Sequence, residues 1–293
     1  MKRTILALAA LVALTGCVTY QATPATTPAP PGGSGPVEAT PVACSTVPPE
    51  RDAPARLETG IARVSLCNDP GHAELYGMPG PTPPADALVL DADRVAAAYN
   101  ALDRAELATM ICTADMGPAY RLVVEYPDGR TVQLSGEMFG CHVVGTKVGS
   151  HAVLDAFTDA LVAQRATLTP PRLVLAADAV CPSPSSWVRA ELADTTQGVL
   201  CTGFDAGARG EPIEGDAWQV VLADITANGR EVTADDYPND CASSEAVTLV
   251  GLTPWGEMTS LQRSCDLYTW QTGPDDRTTM GWTPGDKAKA LLS

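Results

Sequence analysis

The residues best able to do chemistry in this chain are nine cysteines, three histidines and 35 carboxylates. Eight of the cysteines, Cys44, Cys67, Cys112, Cys141, Cys181, Cys201, Cys241 and Cys265, fall into two groups of four. Their gaps are 23, 45 and 29 residues in the first group and 20, 40 and 24 in the second. No CxxC or Cys/His spacing of a metal site occurs, so the even number points to disulfides made in an oxidising compartment. The second group reads as a slightly shortened copy of the first. If each copy closes on itself, three pairings per copy remain open. The favoured set is Cys44 with Cys67, Cys112 with Cys141, Cys181 with Cys201 and Cys241 with Cys265, because the second and fourth pairs bracket expected hairpins. Each bond is structural in this reading and worth roughly 3 to 4 kcal/mol by loop entropy.

The histidines, His72, His142 and His151, lie in no HExxH, HxH or similar ligand array. His142, beside Cys141, reads as a loop residue. No GxSxG elbow, SxxK pair or P-loop is present. Asp91/Asp93, Asp235/Asp236 and Asp275/Asp276 lack the alternating oxygen ligands of a calcium loop, and neighbouring aspartates diverge rather than face each other across a substrate. They read as turn and cap residues. The sequence therefore nominates no catalytic residue, no metal ligand and no cofactor. Its one candidate ligand contact is Trp255. All five tryptophans, Trp187, Trp218, Trp255, Trp270 and Trp282, fall in the second copy. Most read as core or half-buried sheet residues. Trp255, between Pro254 and Gly256 at an expected turn tip, should be exposed, and exposed Trp is enriched at binding surfaces.

Cys17 stands apart from the other cysteines. Lys2 and Arg3 precede an apolar run over 5–14, which closes on Leu14-Thr15-Gly16-Cys17. A bilayer span needs about 20 apolar residues, so this run reads as a removable signal. Leu-Thr-Gly-Cys resembles the lipobox of bacterial lipoproteins, which implies that Cys17 is lipidated and becomes the mature N-terminus. Two or three acyl chains together hold a protein stably at a membrane.

The elements that must position these residues begin after a spacer. Over 20–42 the chain is almost wholly Pro, Thr, Ala, Gly and Ser, too poor in apolar side chains to pack, and reads as an extended tether. Beyond it, segments 120–135 and 247–262 are rich in Val and Leu on either side of Tyr126-Pro127-Asp128-Gly129 and Thr253-Pro254-Trp255-Gly256. Pro presets φ and Gly accepts a positive φ, so each segment predicts a hairpin. Apolar steps of three and four predict helices over 91–107, capped by Asp91 or Asp93, and over 153–165. Their counterparts in the second copy are 221–232, interrupted by Asn228-Gly229, and 285–292. The Asp86-Ala-Leu-Val segment aligns opposite Asp216-Ala-Trp-Gln. The expected fold class is α+β: two tandem, disulfide-stapled copies of a small antiparallel sheet with one or two helices, after a disordered spacer. The expected organisation is a signal peptide over 1–16, anchor and spacer over 17–43, and repeats over 44–166 and 172–293.

Formal net charge is −16, and loss of Lys2 and Arg3 with the signal makes it −18, from 17 basic and 35 acidic residues. No basic cluster remains, which argues against nucleic acid as a partner and against attraction to anionic headgroups.

The lipobox, the Pro/Thr spacer and the segment Cys112-Thr-Ala-Asp115, Gly117-Pro-Ala-Tyr120, Tyr126-Pro-Asp-Gly129 together resemble secreted, actinobacterial-type lipoproteins of high-GC Gram-positive bacteria, a group without an assigned activity. The resemblance covers the first copy best and implies no active site to carry over. Tandem α+β repeats are also similar to exported inhibitor proteins built by duplication, at the level of fold alone. The expectation is a lipid-anchored module on the extracytoplasmic face of the cell membrane that binds a protein or cell-wall partner without catalysis. The alternative is a cell-envelope enzyme whose catalytic groups meet only in the fold, and the plainest reading is a structural or stress lipoprotein with no specific ligand.

Overall fold

The structure is a computed structural model that describes residues 38–42, 44, 53–70, 80–106, 109–171, 173, 176–182, 185–203, 207–213, 215–237, 246–272 and 278–292. Cys17, His72, Cys241, Asp275, Asp276, the signal segment and most of the spacer lie outside them. Residues 36–293 cluster into one compact unit.

Short apolar segments rich in Val and Leu supply the first sheet. Strand β1, Arg63–Asn68, pairs antiparallel with β2, Ala119–Glu125, which pairs with β3, Thr131–Glu137; β4, Val143–Val144, and β5, Lys147–Val148, complete the order β1-β2-β3-β4-β5. Alternation sends Val64, Leu66, Tyr120, Leu122, Val124 and Leu134 to one face. There they meet Val95 and Tyr99 of helix α1, Asp93–Ala101, and Val153, Phe157 and Leu161 of α2, Ser150–Arg165.

The second sheet is larger. Strands β6 (Gln197–Thr202), β7 (Arg209–Ile213), β8 (Arg230–Glu231), β9 (Val247–Leu252), β10 (Met258–Ser264), β11 (Leu267–Thr272) and β12 (Thr278–Trp282) are ordered β7-β6-β9-β10-β11-β12-β8, all antiparallel. Helices α4, Gly215–Asn228, and α5, Asp286–Leu291, cover one face around Trp218, Leu249, Leu261 and Trp282. The short helix α3, Ala177–Val180, covers part of the other, where Val180 and Cys181 pack on Val199, Val250 and Met258.

Both halves run strand, helix, hairpin, helix, so the chain is an α+β protein of two antiparallel sheets with few helices. The shared register is close. Glu125 faces both Arg63 and Thr131, as Leu252 faces both Gln197 and Met258. Both hairpin turns are made alike: Gly129 N–H donates to the Tyr126 carbonyl and Gly256 N–H to the Thr253 carbonyl, at 2.9 and 3.0 Å. Gly129 and Gly256 take φ of 81° and 84°, which a side chain would resist. Disulfides join Cys44–Cys67, Cys112–Cys141 and Cys181–Cys201. Cys265 is also disulfide-bonded, while its expected partner Cys241 lies outside the described residues.

Four local expectations are corrected. Helix α1 ends at Ala101 rather than 107, because the following backbone turns to the β4–β5 hairpin: Lys147 Nζ donates to the Leu102 carbonyl at 2.8 Å and Ala105 N–H to that of Thr146 at 2.9 Å. Neither Asp91 nor Asp93 caps it. Asp91 sits at φ 58°, and the Asp93 carboxylate accepts the N–H groups of Gly60 and Ile61. Helix α4 begins at Gly215, six residues before expected, and stops at Asn228 where Gly229 follows. Asp86 and Asp216 are not equivalent, since Asp86 bridges Pro41 in extended backbone and Asp216 lies in the first turn of α4.

Candidate functional site

The two faces of the second sheet differ along their length. Over β6 and β9 both are buried, but beyond the reach of α3 the outer face of β10 and β11 carries Ser260, Gln262, Thr269 and Gln271. Residues 185–192 form a wall beside this face, enclosing a groove of about 480 Å³ lined also by Trp187, Arg189, Glu191, Thr259 and Trp270. Ser186 pins the wall to the floor: its hydroxyl donates to the Val188 carbonyl at 2.7 Å and accepts the Met258 N–H at 3.0 Å. Trp187 braces the back, with Nε1 donating to Asn68 Oδ1 at 2.7 Å and its ring edge-on to Tyr120 at 5.7 Å. Arg189 and Glu191 pair at 3.3 Å on the rim. The volume suits a small ligand or one segment of a polymer. Hydroxyls and amides dominate, while the indoles turn elsewhere, Trp187 to Asn68 and Tyr120 and Trp270 to the inner core, and the lining holds no histidine or cysteine.

Trp255 is half-buried, against the expected exposed tip, because its ring lies over the Arg165 guanidinium at 4.7 Å. Arg165, at the end of α2, hydrogen-bonds Asp86 through Nε and Nη2 and pairs with Glu257 through Nη1. The three side chains are 7%, 0% and 4% exposed. Glu257 Oε2 also accepts the Thr253 hydroxyl at 2.5 Å. These residues join the halves: Arg165 and Asp86 come from the first, Glu257 and Trp255 from the second. A buried cation between two carboxylates, roofed by an indole, is a fastening with no route for substrate.

The fold also brings together two of the three histidines. His142 Nδ1 lies 3.1 Å from His151 Nε2, with ring centroids 4.7 Å apart, at the surface of the first half and away from the groove. Asp115 lies close enough to interact with His142, and hydrogen bonds from Thr113 and then the Gly140 N–H hold its carboxyl below the usual range. Among the described residues no group of three or more His, Cys, Asp or Glu could hold a metal ion. Burial pushes the Tyr120 hydroxyl well above its ordinary range, and it donates to the Ser150 carbonyl at 2.7 Å, a packing role. Asp236 closes a capping box with Thr233, as a turn aspartate should.

Sequence reasoning missed the groove, the Arg165 fastening and the histidine contact. Alternation along β10 and β11 carried the one available signal, since Ser260/Gln262 and Thr269/Gln271 mark a polar face. No family model, curated protein or solved structure matches this chain.

Proposed function

We propose that this chain is an extracytoplasmic lipoprotein, tethered by lipid on Cys17, that binds a polar cell-envelope component through the groove on the outer face of its second sheet. The observation that carries the reading is that groove: a solvent-facing concavity beside the wall of residues 185–192, lined chiefly by hydroxyls and amides. Neutral donors and acceptors suit a glycan or peptide strand of the wall better than a phosphate or a cationic ligand. Three described disulfides and a bonded Cys265 suit an oxidising compartment. The lipobox-like ending at Cys17 supports the anchor, and no helix among the described residues is long and apolar enough to cross a membrane.

The test is cosedimentation of the mature protein with purified cell-wall polymer, against a Gln262→Ala/Thr269→Ala variant. Loss of cosedimentation in the variant with unchanged unfolding is expected, and equal pelleting of both proteins overturns the groove. The anchor is tested separately. Cys17→Ala should abolish lipid labelling and release the chain from the membrane fraction or leave it as precursor. The enzyme reading has one observation in its favour, the meeting of His142 and His151, but that pair lies on an open surface rather than in the groove.

A further inference from the structure

We propose that His142 and His151 form a binding site for a late first-row divalent metal ion, bound by two imidazoles with water in the remaining positions. His142 follows Cys141 of the Cys112–Cys141 disulfide and sits at φ 51°. Its N–H donates to the Phe139 carbonyl at 3.0 Å, and its own carbonyl accepts the N–H groups of Gly149 and Ser150 at 2.8 and 2.9 Å. The last two amides open helix α2, so the backbone of His142 is tied directly to the turn that carries His151. The left-handed conformation of a non-glycine residue is a cost that points to a purpose for the ring it aims.

The rings place Nδ1 of one against Nε2 of the other at 3.1 Å. Two imidazole nitrogens bound to one ion at about 2.0 to 2.1 Å, at an angle near 100°, lie about 3 Å apart. A shared proton also fits that distance, but a hydrogen bond at an exposed site stabilises little. His151 is exposed and His142 half-exposed, which leaves room for water on an ion. The surroundings are anionic. Asp155 is exposed one turn along α2 from His151, and the ionised Asp115 acts on His142. Neither completes a third protein ligand, so the site is open and takes ions that favour imidazole nitrogen, with Cu²⁺ ahead of Zn²⁺. The two histidines stand nine positions apart in sequence, a spacing that resembles no zinc motif.

The experiment titrates the oxidised mature protein with Zn²⁺ by calorimetry and with Cu²⁺ by electron paramagnetic resonance. One Zn²⁺ per chain and a Cu²⁺ spectrum split by two nitrogens are expected. His142→Asn, which keeps a residue tolerant of positive φ, and His151→Gln should each weaken binding at least tenfold, and the double variant little further. Should either variant unfold earlier than the parent, the parent's own imidazole NMR signals decide: Zn²⁺ must shift those of His142 and His151 together and spare His72. Absence of saturable binding, equal binding by both variants as scattered surface carboxylates would give, or unshifted signals from the pair overturns the site.

Discussion

The two halves share a three-stranded nucleus in the same register, β1-β2-β3 in one and β6-β9-β10 in the other, and differ in what each adds to it. The first half adds only the two-residue strands β4 and β5. The second adds β11, β12 and β8 on one side and β7 on the other, more sheet than α3 and residues 185–192 can cover. Its spare width is the polar face that floors the groove. The shared nucleus provides the scaffold, and the strands added in the second half leave the polar face uncovered.

The largest effect should come from the point where the halves meet. Arg165→Met leaves the carboxylates of Asp86 and Glu257 buried without their cation and should cost about 3 to 5 kcal/mol in chemical denaturation. A cost below about 1 kcal/mol would mean that the halves are not fastened there. Next come the matched disulfides. Replacing Cys44 and Cys67 by serine, or Cys181 and Cys201, opens loops with separations of 23 and 20 residues, so each double variant should lose about 3 kcal/mol and the two losses should agree. Unequal losses would break the equivalence of the copies.

Gly129→Ala and Gly256→Ala force a side chain into the left-handed region and should each destabilise by about 1 kcal/mol. At Gly129 nothing lies within 4 Å of an added Cβ, so its loss is conformational alone and sets the reference for Gly256. The groove substitutions Gln262→Ala and Thr269→Ala should move stability by less than about 0.5 kcal/mol while removing binding. Smallest are two surface aspartates, one per half. Asp115 is depressed chiefly by the Thr113 hydrogen bond and Asp236 chiefly by the Thr233 N–H. Each contribution is complete above the ordinary aspartate pKa and is lost as pH falls through the lower folded value. Carboxyl NMR titration should place both midpoints below 3.8, the ordinary value, and a midpoint at or above it would remove that residue from the comparison.

The nucleus was legible because its determinants are local. Tyr126 to Gly129 and Thr253 to Gly256 each spell a turn in four residues, and the parallel spacing of the cysteines, slightly shorter in the second group, is visible without knowing where the chain goes. Helix ends were less legible where a distant partner competed, as when Thr146 and Lys147 drew residues 102–105 out of α1. The same holds at the sites. Trp255 is half-buried rather than exposed because Arg165, which lies under its ring, stands 90 positions upstream. His142 and His151 meet through a left-handed backbone angle at a non-glycine residue, for which no local pattern stands.

Val188 and Trp187, carried by the second half, pack against the core of the first, and Thr82 exchanges backbone hydrogen bonds with Ser185 and Trp187. Every described disulfide closes within its own half. A protease that cuts near residue 170 would sever the only described covalent link between the halves and still leave them held together. The nicked protein would stay whole until it unfolds, so the seam decides whether a cut becomes a separation.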